Sequence, residues 1–167
     1  MFLDREDAGR RLAERLAVYR RAPDALVLGI PRGGVIVGAV VARELALPLD
    51  VFIAQKLRVP GELEAAFGAV TENGYVYLDE QVVRLWGISD AARERELRFQ
   101  RNEAAWRRRL YRGGRPPPEL RGKAVLLVDD GIATGATVLA ALESLRRAGP
   151  KAIVLGVPGA PRQALAA

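Results

Sequence analysis

The chain has 167 residues; half are hydrophobic, 28% are charged, and mean hydropathy is near zero. Such a composition suits one globular domain with a buried core and excludes a disordered or fibrous chain. Lys and Arg outnumber Asp and Glu by 26 to 20, and neither Cys nor His occurs, so anionic partners are favoured while thiol, histidine-base and Cys/His zinc chemistry is excluded.

No apolar run approaches the about 18 residues a membrane span requires. The opening stretch MFLDREDAGRRLAERL carries acids and no central apolar segment, so a signal peptide is not expected. Residues 4–21 are predicted as an amphipathic helix, with Asp4 able to cap it and Leu12, Leu16 and Tyr19 at helical spacing. Pro23 stops it. Ala25 to Ile30 is an apolar run suited to a buried strand, followed by the turn Pro31-Arg32-Gly33-Gly34. A helix is predicted over Val35–Leu47 and a strand over Leu49–Ala54. This strand–turn–helix–strand order implies parallel strands with a right-handed crossover.

Residues 55–74 are predicted to be irregular apart from a strand at Ala66–Thr71. Asn73-Gly74 signals a tight turn joining it to Tyr75–Leu78 in a hairpin. Residues 79–112 are predicted as two helices broken near Gly87. Ser89 caps the second, which carries Ala92, Phe99, Trp106 and Leu110 on one stripe. Gly113–Pro118 is a linker. Ala124–Val128 is a second buried strand, and Asp129–Thr137 is a turn running into a helix that reaches Arg147. Gly149-Pro150 ends that helix, and Ile153–Val157 is a last strand.

The expected architecture is one α/β domain over residues 1–167. It has an open, mostly parallel β-sheet flanked by helices, with a β-hairpin and a helical insertion at 79–122 that could serve as a hood. Ligands of such sheets sit beyond the carboxyl ends of the strands. Loops 31–34, 55–61 and 129–137 are therefore the candidates.

The richest of these is Val125-Leu126-Leu127-Val128-Asp129-Asp130-Gly131-Ile132-Ala133-Thr134-Gly135-Ala136-Thr137. Four apolar residues deliver two acids to the sheet edge, and Thr-Gly-Ala-Thr then opens a helix. A helix start offers unpaired N–H groups and the positive end of a dipole, both suited to an anion. Gly135 lets a phosphate approach the backbone, and Thr134 and Thr137 add hydroxyl donors. Two carboxylates can accept from a vicinal diol. Phosphate donors beside diol acceptors describe a sugar phosphate. The plainer alternative is that the acids end a strand and Thr134 caps a helix. No Walker lysine and no G-x-G-x-x-G pattern is present.

Residues 125–137 resemble the phosphoribosyl-diphosphate signature of the type I phosphoribosyltransferases, and Pro31-Arg32-Gly33-Gly34 is similar by position to that family's diphosphate loop. The resemblance covers roughly residues 25–56 and 123–157 and is weak over 79–122. It implies that Asp129 and Asp130 bind the ribose 2- and 3-hydroxyls. The segment Gly131, Ile132, Ala133, Thr134, Gly135, Ala136 and Thr137 would wrap the 5-phosphate. Arg32 and Gly33 would hold the diphosphate, joined by a cis non-proline peptide bond, with Lys56 and, from a mobile loop, Arg58 adding charge. It further implies 5-phosphoribosyl 1-diphosphate (PRPP) and a nucleobase-like acceptor as substrates, with Mg2+ held mainly through PRPP. A cytoplasmic homodimer acting in nucleotide metabolism is the expected setting. Ala133 stands where 6-oxopurine members carry Asp, which argues against a hypoxanthine–guanine enzyme. The chain after the last strand is short, which leaves acceptor recognition open and keeps a PRPP-sensing role as an alternative.

A further alternative comes from residues 93–115, where nine arginines accompany Phe99, Trp106 and Tyr111. Arginine with aromatics can bind RNA. Against that, the aromatics can pack inward and the arginines pair with Glu94, Glu96 and Glu103.

Overall fold

In the computed structural model, which describes residues 2–62, 64–132 and 135–159, Asp4 caps the first helix by accepting the Asp7 N–H at 2.7 Å. Helix α1 spans Arg5–Arg15 and is shorter than predicted. The Leu16 N–H is shared between the Leu12 and Ala13 carbonyls, and the chain tightens into a 3-10 turn at Ala17–Tyr19. Strand β1 (Ala25–Gly29), helix α2 (Gly33–Leu45) and strand β2 (Leu49–Val51) follow. Strand β3 covers Ala54–Arg58, β4 Ala66–Thr71 and β5 Val76–Leu78. Helices α3 (Glu80–Leu85) and α4 (Asp90–Arg112) precede β6 (Ala124–Val128), α5 (Ala136–Arg147) and β7 (Ala152–Gly156).

These elements divide into two units. The first holds α1, α2 and a four-stranded sheet in the order β2-β1-β6-β7, parallel throughout. Val27, Leu126 and Val128 of the sheet pack with Val37, Val41 and Leu45 of α2, and Leu12 and Leu16 join them from the first helical segment. Strand residues buried on both faces explain the unbroken apolar runs at 25–28 and 124–128. The register sets Gly29 beside Val128 and Val128 beside Gly156, so the carboxyl ends of three strands lie in one row.

The second unit is built on an antiparallel sheet in the order β3-β4-β5. Its core is Leu57, Val59, Phe67 and Val70, covered by Val82, Ile88 and Leu97 from the helical segment. The Asn73-Gly74 hairpin forms as its sequence requires: Gly74 has φ +87°, and the Thr71 N–H donates to the Tyr75 carbonyl at 2.9 Å. Ser144 of α5 donates to the Asn73 side chain at 2.7 Å, which ties that helix to the hairpin. Ala136 and Ala140 pack on Ala69 of β4.

Three expectations are corrected. The strand predicted over 49–54 is two strands of different sheets. Residues 55–61 are not a loop at the parallel sheet's edge, because Ala54–Arg58 pairs with β4. Buried Leu57 between more exposed neighbours is the alternation of a half-buried strand, and the Gly- and Pro-bearing segment that follows disguised it. The aromatic stripe of α4 does not face inward. Phe99, Trp106 and Leu110 are 58%, 56% and 61% exposed, while Gln100, Ala104 and Arg112 are buried in their place.

Candidate functional site

Glycine governs how the first unit's loops meet. The Ile30 N–H donates to the Val128 carbonyl at 2.9 Å, so residues 30–34 and 129–132 leave the sheet as neighbours. A Cβ on Gly34 would lie 2.6 Å from the Val128 carbonyl oxygen and 2.8 Å from Asp129 Cα. A Cβ on Gly33 would lie 1.8 Å from Asp130 Oδ2. Both distances are closer than any real side chain permits. The two glycines of the Pro-Arg-Gly-Gly turn are therefore the room in which the two acids sit.

The acids are held by different groups. Asp129 Oδ1 accepts the Asp130 N–H at 2.8 Å, and the Asp129 N–H donates to the Gly156 carbonyl at 3.2 Å. Asp130 Oδ2 accepts from Arg5 Nε at 3.0 Å and Arg5 Nη2 at 2.8 Å. Both carboxylates are partly exposed. The Ile132 N–H donates to the Gly159 carbonyl at 3.2 Å, which fixes the first residues after the acid pair.

Helix α2 begins at Gly33, with no side chain capping it. Its first-turn N–H groups thus open beside the acid pair. Arg32 is exposed. A cis non-proline peptide bond is present, but it joins Pro31 to Arg32 and so precedes the Arg32-Gly33 bond at which it was expected.

The remaining predicted residues fall as follows. Gly131 and Ile132 continue from Asp130 in the first unit. Gly135 has φ +83°, a conformation natural to glycine, and its carbonyl accepts the Leu139 N–H at 2.8 Å. Ala136 is buried and Thr137 partly exposed in the first turn of α5. Ala133 and Thr134 lie outside the described residues. Lys56 and Arg58 are strand residues of the second unit and not members of a mobile loop. Lys56 is opposite Ala69, and the Arg58 N–H donates to Glu96 at 3.1 Å beside a register shift. Arg5 was missed by sequence reasoning; it stands 125 positions from its partner, and no local pattern marks it.

The site thus combines two carboxylates, an uncapped helix start and glycines that permit close approach. A family profile described as phosphoribosyl transferase domain matches residues 2–164. The chain belongs to the phosphoribosyltransferase family. A Mycobacterium tuberculosis (strain H37Rv) protein with the provisional name phosphoribosyl transferase is 45% identical over 161 residues, which cover 96% of this chain and 36% of that protein. The chain spans about a third of the length of the curated relatives it matches. Among solved structures, TT1426 from Thermus thermophilus is similar at a TM-score of 0.75 and 42% identity, covering 99% of this chain and 78% of that one. A purine phosphoribosyltransferase from Pyrococcus horikoshii shares the fold at a TM-score of 0.53 and 21% identity, covering 94% and 75%.

Among the described residues, no helix is long and apolar enough to cross a membrane. Also among them, no group of three or more carboxylates is placed to hold a metal ion.

Proposed function

We propose that this chain transfers the phosphoribosyl group of PRPP to a nucleobase-like acceptor and releases diphosphate. The acid pair set into the space left by Gly33 and Gly34 carries this reading, because it puts diol acceptors beside helix-start donors. Asp129 and Asp130 accept the ribose hydroxyls, residues 131–137 enclose the 5-phosphate, and Arg32 and Gly33 meet the diphosphate. The bond from C1 of ribose to diphosphate breaks with its electron pair leaving on diphosphate, a bond from C1 to an acceptor nitrogen forms, and the proton of that nitrogen passes to solvent. Positive charge grows on the ribose as the leaving group departs, and preorganised carboxylates favour it electrostatically. Magnesium takes oxygen ligands and usually binds through substrate phosphates. The ion would be held mainly by PRPP, where it would supply charge neutralisation for the departing diphosphate.

A groove of about 370 Å³ between α1 and the end of β7 is a place for the acceptor. It is lined by Phe2, Arg11, Leu12, Arg15, Val157 and Pro158. The Arg11 guanidinium stands over the Phe2 ring, 5.6 Å from its centre, so a cation and an aromatic ring border the groove together.

Asp130→Asn tests the assignment. A charged acceptor of a sugar hydroxyl becomes a neutral one, and charge-assisted bonds contribute about 1.5–3 kcal/mol. Calorimetric titration with PRPP and magnesium is expected to give a ten- to hundredfold weaker affinity, roughly that difference converted, with the thermal midpoint unchanged. An affinity equal to the parent's would remove Asp130 from the site.

The exposure of Phe99 and Trp106 favours a second reading, RNA binding through α4, where eight arginines face four acids. Titration with a single-stranded RNA at rising salt is the check. Phosphate contacts would give a steep fall in affinity with salt, and no binding at low salt would dismiss the reading.

A further inference from the structure

Arg5 opens α1 and reaches across the sheet edge to Asp130. Both of its bonds end on one oxygen, Oδ2. The whole carboxylate fills the gap over Gly33, with that oxygen nearest: a Cβ there would lie 1.8 Å from Oδ2, 2.1 Å from Cγ and 2.7 Å from Oδ1. The carboxylate is thereby fixed from two sides, by a space that admits it and a guanidinium that holds it there, while Oδ1 lies outside the pair. The pair adds little to stability. Arg5 and Asp130 are 57% and 32% exposed, and solvent screens such pairs heavily. Its physical effect is on conformation: an exposed aspartate samples several rotamers, and two donors on one oxygen select one of them. A group already oriented for its ligand loses less entropy on binding.

We infer that Arg5 is a positioning residue that holds Asp130 ready for the ribose hydroxyls, an inference that rests on the donor-binding reading of Asp130. Arg5 acts through the carboxylate and not on the ligand. Its contribution therefore vanishes when the carboxylate is gone, whereas an independent contact would persist.

The test is calorimetric titration of PRPP with magnesium against the parent, Arg5→Ala, Arg5→Lys, Asp130→Asn and the Arg5→Ala/Asp130→Asn double variant. Arg10→Ala serves as control, because it removes a comparable exposed pair with Glu6 on the same helix. Arg5→Ala is expected to bind PRPP about three- to tenfold more weakly, the scale of one lost orienting contact, with an unchanged thermal midpoint. Arg5→Lys recovers part of the loss, Arg10→Ala binds as the parent does, and Arg5→Ala adds nothing in the Asp130→Asn background. Equal losses in both backgrounds would overturn the inference and leave the donor-binding reading standing. Tighter binding by Arg5→Ala would overturn it too, since Arg5 would then be a competitor for Asp130. Parent-like affinity in Asp130→Asn would bring down the donor-binding reading, and this inference with it.

Discussion

Gly135→Val is expected to abolish binding of ribose 5-phosphate and of PRPP, a loss beyond about a hundredfold. Gly135 has φ +83°, and α5 starts at the next residue. Around a 5-phosphate, the bare backbone there lets phosphate oxygens reach consecutive N–H groups, as glycine-bearing helix starts do. A valine side chain occupies that space and disfavours the positive φ. Several hydrogen bonds are lost together, because the loop must retreat as one piece. Binding of diphosphate alone is expected to survive in part, since Arg32 and Gly33 belong to the turn after β1. Were Gly135 only a helix-capping residue, valine would lower stability by about 1–2 kcal/mol and leave ligand affinity alone. Titration of the three ligands, with thermal unfolding of the same samples, separates these outcomes. Thr137→Val removes a hydroxyl without touching the backbone and is expected to weaken ribose 5-phosphate about tenfold. Parent-like ribose 5-phosphate binding by a folded Gly135→Val would defeat the phosphate assignment.

The largest effect on stability is expected from Arg112→Met. Arg112 closes α4 and makes a two-pronged bond to Glu72 after β4, at 2.5 and 2.9 Å. Their side chains are 3% and 7% exposed. Burial holds the Glu72 carboxyl above its usual range even with Arg112 beside it. Removing the guanidinium strands a carboxylate away from water, and breaking one side of such a pair costs about 3–5 kcal/mol. The sign of the pH dependence follows from the raised value. The folded state holds the Glu72 proton more tightly than the unfolded state does. Its contribution to stability is therefore full below the ordinary glutamate range and is lost as pH rises through the folded value. Losing Arg112 raises that value further and widens the window of loss. Chemical unfolding at about pH 5 and about pH 8 is expected to show Arg112→Met more destabilised at the higher pH. Glu72→Gln combined with Arg112→Met is expected to recover much of the stability. Equal destabilisation at both pH values would mean that Glu72 is not the group left exposed to the change.

The legibility of the sequence tracked how local each cause was. The strand at 124–128 is buried on both faces, and its apolar run says so without help from the rest of the chain. Asp4, Ser89 and Asn73-Gly74 act on residues two to four positions away, and each does what its side chain or backbone predicts. Strand β3 was hidden because its pairing with β4 lies across a Gly- and Pro-bearing loop. Helix α4 has two stripes at helical spacing, and periodicity alone does not say which is covered. The buried one contains Gln100 and Arg112, polar residues whose partners Glu96 and Glu72 lie on the same helix and on the hairpin. At the site, the acids and glycines were legible as a motif. Their mutual fit, with Asp130 in the space over Gly33, and the grip of Arg5 depend on chain segments about a hundred residues apart, as tertiary contacts commonly do.

Diphosphate release reports transfer itself. The parent protein is incubated with PRPP, magnesium and one nucleobase at a time from a panel of purines and pyrimidines, and diphosphate is measured against a reaction without base. Release is expected to depend on a particular base and to fall at least tenfold in Asp130→Asn, in line with the lost charge-assisted bond. Tight PRPP binding with no base-dependent release from any member of the panel would contradict transfer, and would describe a protein that senses PRPP without transferring it.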